Sequence, residues 1–282
     1  MCGRFVSARK RLELLEEFAV ERDRVADDRA PDYNVAPTKQ IYAVLEHADR
    51  AEEPAEGGDV APGGGEPARE LRLLRWGLVP SWAKDPAGGA RMINARAETV
   101  AVKPAFRSAF KRRRCLIPAD GYYEWQADPD KKLKQPFYIY PADGSILSFA
   151  GLYELWRDSS VPPDHEHAWL WTASIITTDA PDEIGKIHDR TPLMIARESW
   201  NDWLDPANND RELLMAMMLP ATSSSDRGLT SRAVSTVVNS VRNNGPDLIE
   251  PLPPGAPPGK PADKGNRARG SGSGQQDGLS LF

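Results

Sequence analysis

Cys2 is the residue of this chain whose position gives it chemistry of its own. Removal of Met1 would leave it as the mature N-terminus, with an amine and a thiol on adjacent carbons. Their ordinary pKa values are about 7.7–8.0 and about 8.5, so both are partly nucleophilic at neutral pH. Such a pair has two uses. The amine can condense with an aldehyde to a Schiff base, after which the thiol closes a thiazolidine ring on the same carbon. Alternatively the thiol attacks an amide while the amine acts as base, as in N-terminal nucleophile hydrolases. Position alone is equally consistent with a chance cysteine near a terminus. Cys115, in the apolar run Cys115-Leu116-Ile117-Pro118, reads as a buried structural thiol.

Three further segments carry groups that move protons or hold anions. Glu124 sits in Gly121-Tyr122-Tyr123-Glu124-Trp125, where aromatic neighbours can desolvate a carboxyl and raise its pKa toward a general-acid value. His188 lies in Lys186-Ile187-His188-Asp189-Arg190-Thr191-Pro192, just before an apolar stretch, and histidine is the usual proton carrier near neutral pH. In Ile93-Asn94-Ala95-Arg96, extended backbone sends Asn94 and Arg96 to one face. Asn94 then suits an amine or a sugar oxygen, and Arg96 a phosphate. Asn34 precedes a Pro-constrained turn, and Trp76 or Trp82 could stack on a base. Core packing is the ordinary role of a Trp, an exposed strand position that of a Glu, and a hydrogen-bonded loop that of a His.

These groups need elements to hold them. Ser7 is a candidate cap for a helix running to about residue 20, with Leu12, Leu15 and Phe18 on one face. Strands are expected at 41–45, 71–79 (ended by Pro80), 115–118, 121–126, 136–140, 146–152, 168–177, 192–196 and 232–238. Helices are expected from Pro104 to Arg113, at 197–204 and at 209–218. Many strands with interspersed helices and no βαβ rhythm indicate an α+β fold. Strand order is not readable from this pattern. Residues 48–68 are rich in Ala, Glu, Gly and Pro, and the tail 253–282 in Pro, Gly, Ser and Lys. Both compositions predict disorder, leaving one folded domain within 2–252.

The chain has 282 residues and a formal net charge of -5, with 2 Cys and 4 His. That rules out a disulfide scaffold and argues against a zinc site or other metal. No apolar run is long enough to span a membrane, and no secretory signal is evident, so a cytoplasmic protein is expected. The charge is unevenly placed. Residues 46–70 carry net -6, whereas 91–114 carry eight Lys and Arg against Glu98 alone. A basic stretch on a near-neutral body attracts phosphate whatever the total.

In combination, six segments resemble the SRAP family, the SOS response-associated peptidases or abasic-site processing proteins. They are Met1-Cys2-Gly3-Arg4, Asn34-Val35-Ala36-Pro37-Thr38, Arg75 to Trp82, Ile93 to Thr99, Arg114 to Trp125, and Ile187 to Pro192, in family order. The resemblance implies a single domain of coiled, mainly antiparallel, barrel-like β-sheets with flanking helices. It implies that Cys2, exposed by peptidase-like removal of Met1, crosslinks as a thiazolidine to abasic sites in single-stranded DNA and shields the lesion. It further implies that Asn94 orients the amine and the opened sugar, and that Glu124 assists proton transfer. His188 would act as general acid and base. Arg4, Arg96 and Arg190 would hold phosphates, with Asn34 and Trp76 also along the strand path. No cofactor is required, and a monomer is expected.

Two other readings predict different behaviour. A class II glutamine amidotransferase also begins Cys-Gly when mature, but Arg4 and Phe5 follow here and no glutamine-pocket motif is seen. A non-catalytic single-strand binder would be indifferent to Cys2→Ala.

Overall fold

The structure is a computed structural model and describes residues 2–47, 67–127, 134–165, 167–219 and 228–253. Its strands are β1 (Phe5–Ser7), β2 (Arg22–Asp23), β3 (Asp32–Val35), β4 (Gln40–His47), β5 (Ala68–Trp76), β6 (Asn94–Arg96), β7 (Arg114–Ala119), β8 (Gly121–Gln126), β9 (Gln135–Pro141), β10 (Leu147–Arg157), β11 (Trp169–Asp179), β12 (Arg190–Pro192) and β13 (Leu229–Ala233). Its α-helices are short: α1 (Arg11–Glu17), α2 (Arg107–Arg112), α3 (Asp182–Gly185), α4 (Trp200–Leu204) and α5 (Arg211–Met217).

The strands form two sheets. One has the order β13-β9-β8-β1-β3, and its pairings are antiparallel. The other runs β12-β11-β10-β7-β4-β5-β2, with β6 added to β11. A parallel pairing of β5 with β11, Arg75 opposite Thr172, joins β11-β10-β7-β4-β5 into a closed five-stranded barrel. The expected α+β architecture of mainly antiparallel, barrel-like sheets with flanking helices is what the chain adopts.

Side-chain alternation then divides the core. Val44, Leu71, Leu116, Leu152 and Ile176 pack with Phe18, Phe106, Phe110, Trp200 and Trp203, so this face of the barrel is its helix-covered exterior. Leu45, Leu74, Cys115, Ile117, Phe149 and Ile175, from the same strands, join Phe5 and Cys2 in the interior. A strand buried on both faces reads as a continuous apolar run, as Phe149 to Tyr153 does. Cys115 is indeed a buried free thiol.

Several expectations are corrected in detail. Ser7 does not cap a helix: it ends β1, paired with Asp32. Helix α1 starts at Arg11, and its buried residue is Leu14, with Phe18 stacked on Trp200 at 4.6 Å, while Leu12 is 68% exposed. Strand β5 ends at Trp76 because Gly77 turns the chain at φ 127, before Pro80 is reached. The strand expected at 232–238 stops at Ala233, and Ser235 caps a 3-10 turn over Thr236–Asn239. The expected insert and tail lie outside the described residues, apart from Pro67, Ala68 and Pro253, and Ala68 already belongs to β5. Among the described residues no helix is long and apolar enough to cross a membrane.

Candidate active site at the N-terminus

Strand β1 anchors the N-terminal segment. In it, Phe5 pairs with Tyr122 of β8 and Val35 of β3. The Phe5 ring meets Trp76 edge-on at 5.2 Å and Phe149 at 6.0 Å. These contacts fix the chain three residues from Cys2, which is fully buried.

Three elements bring polar side chains to it. Strand β6 lies parallel to β11, with Asn94 opposite Ile175, and Asn94 Nδ2 donates to the Cys2 carbonyl at 2.8 Å. The other amide atom of Asn94, Oδ1, is buried with no hydrogen-bond partner among the described residues. In β8, alternation places Tyr122 and Glu124 on one face and Tyr123 and Trp125 on the other. Tyr122 shares the interior cluster with Cys2, and its hydroxyl lies 2.8 Å from Thr191 Oγ1. Glu124 is therefore on the Cys2 side. His188 closes the group from the segment before β12. Its backbone N–H donates to Ile184, and its Nδ1 accepts from the Arg190 N–H at 3.0 Å.

Electrostatics couples these groups. Burial, reinforced by the neighbouring Glu124, pushes the Cys2 thiol far above its ordinary value. Burial also raises Glu124 to about 7, against the opposing pull of the chain's terminal ammonium. His188 is lowered, first by burial and then by the same ammonium. The imidazole is thus neutral at neutral pH. An amide N–H can only donate, so Nδ1 is the acceptor and the proton sits on Nε2. The 2.9 Å approach of Nδ1 to Asp189 is then not an ion pair. A buried thiol, a carboxyl poised between its two forms and a neutral imidazole form an acid–base set around a candidate nucleophile.

The structure brings together Cys2, Asn94, Glu124 and His188. The residues expected along a DNA strand fare differently. Arg96 is exposed and, among the described residues, has no side-chain hydrogen bond or ion pair. Trp76 is fully buried, and its Nε1 donates to the Ile93 carbonyl at 2.9 Å. It has no face for a base, so its role is to pack the barrel interior beneath the site. Trp82, six residues on, is 68% exposed. Asn34 is also fully buried. Its Nδ2 faces the carbonyls of Val238, Ser240 and Asn243, and its Oδ1 accepts from Arg4 Nη1 at 2.7 Å. It positions Arg4 and cannot itself reach a strand. Arg4 in turn donates to the Val238 and Asn239 carbonyls. Arg190 is buried and clamped: Nη1 donates to Glu98 and Asp179, and Nη2 to Glu98 and Thr177. Both Nη groups of Arg190 are spent on protein, while its Nε is buried with no hydrogen-bond partner among the described residues; Arg4 commits three of its five donors. Residue type alone hid these partners.

Two site features escape the sequence. Glu98, held below the usual carboxylate range chiefly by its hydrogen bond from Arg190, lies inside the Ile93 to Thr99 motif but reads there as one more charge. Lys134, an exposed cation, acts on both Glu124 and His188 and favours the deprotonated form of each. No local pattern marks it.

Residues 1–241 match the model of a family described as SOS response associated peptidase (SRAP). The abasic site processing protein YoqW of Bacillus subtilis is 36% identical over 250 residues, covering 89% of this chain and 99% of that protein. The abasic site processing protein HMCES of Xenopus tropicalis is 31% identical, over 81% of this chain and 68% of its own length. YedK of Escherichia coli, also an abasic site processing protein, is 30% identical over 89% of this chain and its full length. A crystal structure of a Bacteroides thetaiotaomicron protein superposes with a TM-score of 0.69 at 22% identity, over 89% of this chain and all of the other. That likeness concerns the fold.

Proposed function

Because the chain belongs to the SOS response associated peptidase (SRAP) family, we propose that it processes abasic sites in DNA, through covalent capture by Cys2 on single strands. The observation that carries this reading is the hydrogen bond from Asn94 to the Cys2 carbonyl, made beside a carboxyl raised to about 7. It holds the backbone of a would-be N-terminal cysteine next to a group that both takes and gives protons at neutral pH.

Removal of Met1 frees the Cys2 amine. An abasic deoxyribose opens to an aldehyde, and the amine adds to its carbon. Loss of one water gives a Schiff base. The Cys2 sulfur then adds to the same carbon, and the thiol proton ends on nitrogen. The product is a thiazolidine, and the net by-product is one water. Glu124 shuttles protons during ring opening and dehydration. The neutral His188 presents a proton at Nε2 to a sugar oxygen and takes one up on reversal. Asn94 Oδ1 accepts from the amine or a sugar hydroxyl. Exposed Arg96 offers a phosphate contact. An abasic nucleotide has no base to unstack, so moving its sugar to Cys2 is inexpensive.

Intact-mass spectrometry tests this with an abasic single-stranded oligonucleotide. The expected adduct has the mass of the Met1-less protein plus the oligonucleotide less one water, and is lost in Cys2→Ala while reversible binding persists. Met1-less protein that forms no adduct would overturn the covalent step. An adduct that survives Cys2→Ala would move the nucleophile elsewhere.

A further inference from the structure

The cations of residues 91–114 do not all serve the Cys2 site. Arg113 pairs with Glu154 at 2.8 Å. Arg114 is buried and donates to five backbone carbonyls, those of Phe110, Lys111, Trp203, Asp205 and Asn208. Burial pulls it down to about 10, so it remains charged at neutral pH, and none of its hydrogen-bond acceptors is a carboxylate. Lys103, Arg107 and Lys111 are exposed and spaced four apart, which puts them on one side of a helical winding.

A cavity of about 200 Å³ opens between α2 and α5. Its floor is Phe110 and Leu214, both buried. Its walls carry Arg107 and Lys111 from α2, and Asn209 and Arg211 at the start of α5. Among the described residues no acidic side chain lines it, and none pairs with Arg107, Lys111 or Arg211. Asp210, between two wall residues, spends Oδ1 on the N–H groups of Glu212 and Leu213. Arg114 ties the two walls together from below through the Lys111 and Asn208 carbonyls. A preformed recess with three unneutralised cations, a fourth buried beneath and an apolar floor suits a phosphate with its attached sugar.

We infer that this cavity is a phosphate site separate from the Cys2 centre, and that it holds a backbone phosphate of the strand whose lesion lies at Cys2. This rests on the function proposed above. A run of hydrogen-bonded turns leads from Arg96 toward the cavity. Backbone hydrogen bonds Val100 to Arg96, Lys103 to Thr99, Arg107 to Lys103 and Phe110 to Phe106 wind the chain from Arg96 to the cavity. Residues 97–102 and 104–106 are turns and α2 begins at Arg107, and exposed Lys103 stands on the way. A free nucleotide shares the same chemistry, so the test separates the two sources.

Lys111→Gln/Arg211→Gln removes one exposed cation from each wall. Anisotropy titrations across a salt series compare wild type and variant on two single-stranded oligonucleotides: one long enough to pass both sites, one ending close to the lesion. For the long strand the variant is expected to bind about fivefold more weakly, with a salt slope smaller by about 0.7 for one lost phosphate contact. On the short strand, binding and adduct formation at Cys2 stay at wild-type values. Unchanged affinity and slope on a long strand that the wild type binds tightly would overturn the second site and leave the Cys2 reading standing. If the wild type binds no single strand, the reading of the Cys2 site fails instead. The cavity is then probed with inorganic phosphate and a deoxynucleoside monophosphate by thermal shift. Stabilisation of wild type but not variant identifies a free phosphate ester as the occupant, and stabilisation of neither removes the site.

Discussion

Glu124→Gln should make the protein more stable and less active, with the gain in stability confined to one side of a pH window. Burial holds the carboxyl at about 7 against an ordinary 4.5. That difference amounts to about 3 kcal/mol between the protonated and ionised forms. Below about pH 4.5 the group is protonated in both folded and unfolded chains and exacts no penalty. Between about 4.5 and about 7 the folded state binds the extra proton, so stability falls as pH rises. Above about 7 the folded state carries a buried carboxylate at full cost. Glutamine keeps the shape and cannot ionise. The variant should therefore match wild type near pH 4 and exceed it by about 3 kcal/mol at pH 8, roughly 6–12 °C in midpoint for a domain of this size. Other groups titrate in both proteins, so the difference between the two curves is the readout, taken from denaturant unfolding at a series of pH values. In the same samples adduct formation should fall at least about a hundredfold, the usual worth of a positioned acid–base group. Parallel stability curves from pH 4 to 8 would show that Glu124 is not a carboxyl raised by burial. A variant that kept wild-type adduct rates would remove it from the proton-transfer role.

Asn94→Ala deletes the hold on the Cys2 carbonyl and should slow single-turnover adduct formation about tenfold, the kinetic equivalent of one hydrogen bond. Trp76→Ala empties a fully buried site and should cost about 3–5 kcal/mol in chemical denaturation, whereas Trp82→Ala should leave stability within about 0.5 kcal/mol. Gly77→Ala would put a Cβ 2.6 Å from the Gly89 carbonyl oxygen at φ 127. Loss of both midpoint temperature and adduct yield is expected, since this loop leads into Asn94. Glu98→Gln removes one of the two oxygens that accept from Arg190 and the negative charge they share, and should tighten single-strand binding while steepening its salt dependence. Weaker binding in anisotropy would show that the clamp, and not its release, serves DNA.

The side chains that the fold gathers around Cys2 were legible as candidates because of their type and local setting. Cys2 follows Met1, Glu124 is ringed by aromatics, and Asn94 sits two residues from Arg96 on an extended segment. What could not be read is which way a residue faces when its partner is distant in sequence. Trp76 and Trp82 look alike in the chain, but Trp76 ends a barrel strand and points inward, while Trp82 lies past the turn at Gly77. Asn34 looks like a surface turn residue until the segment 238–243 folds against it. Barrel closure has the same origin. The β5–β11 pairing joins Arg75 to Thr172, and no alternation pattern in either strand names the other. The helix at α1 is a smaller case: Ser7 has the side chain of a cap, yet its backbone is committed to a ladder with β3.

The arginine partners also change how attraction to DNA is distributed. Arg4 and Arg190 both have most of their donors engaged by protein, but by different kinds of partner. The partners of Arg4 are a side-chain amide and two carbonyls, which satisfy its hydrogen bonds and leave its charge uncancelled. Arg190 faces two carboxylates, so its immediate surroundings carry net negative charge. On the proposed function, Arg4, Arg96 and Lys134 are then the cations that would draw a phosphate toward the site at long range, and the Arg190 cluster is not. At short range the order can reverse. Glu98 is 46% and Asp179 79% exposed at the side chain, so both can swing into water at small cost, whereas the carbonyls around Arg4 belong to fixed backbone. On the proposed function, a phosphate arriving beside Arg190 competes with exposed carboxylates; one arriving beside Arg4 meets the donors that its backbone partners leave over. On that function attraction and capture would fall to different arginines, a division of labour that residue identity alone would have merged.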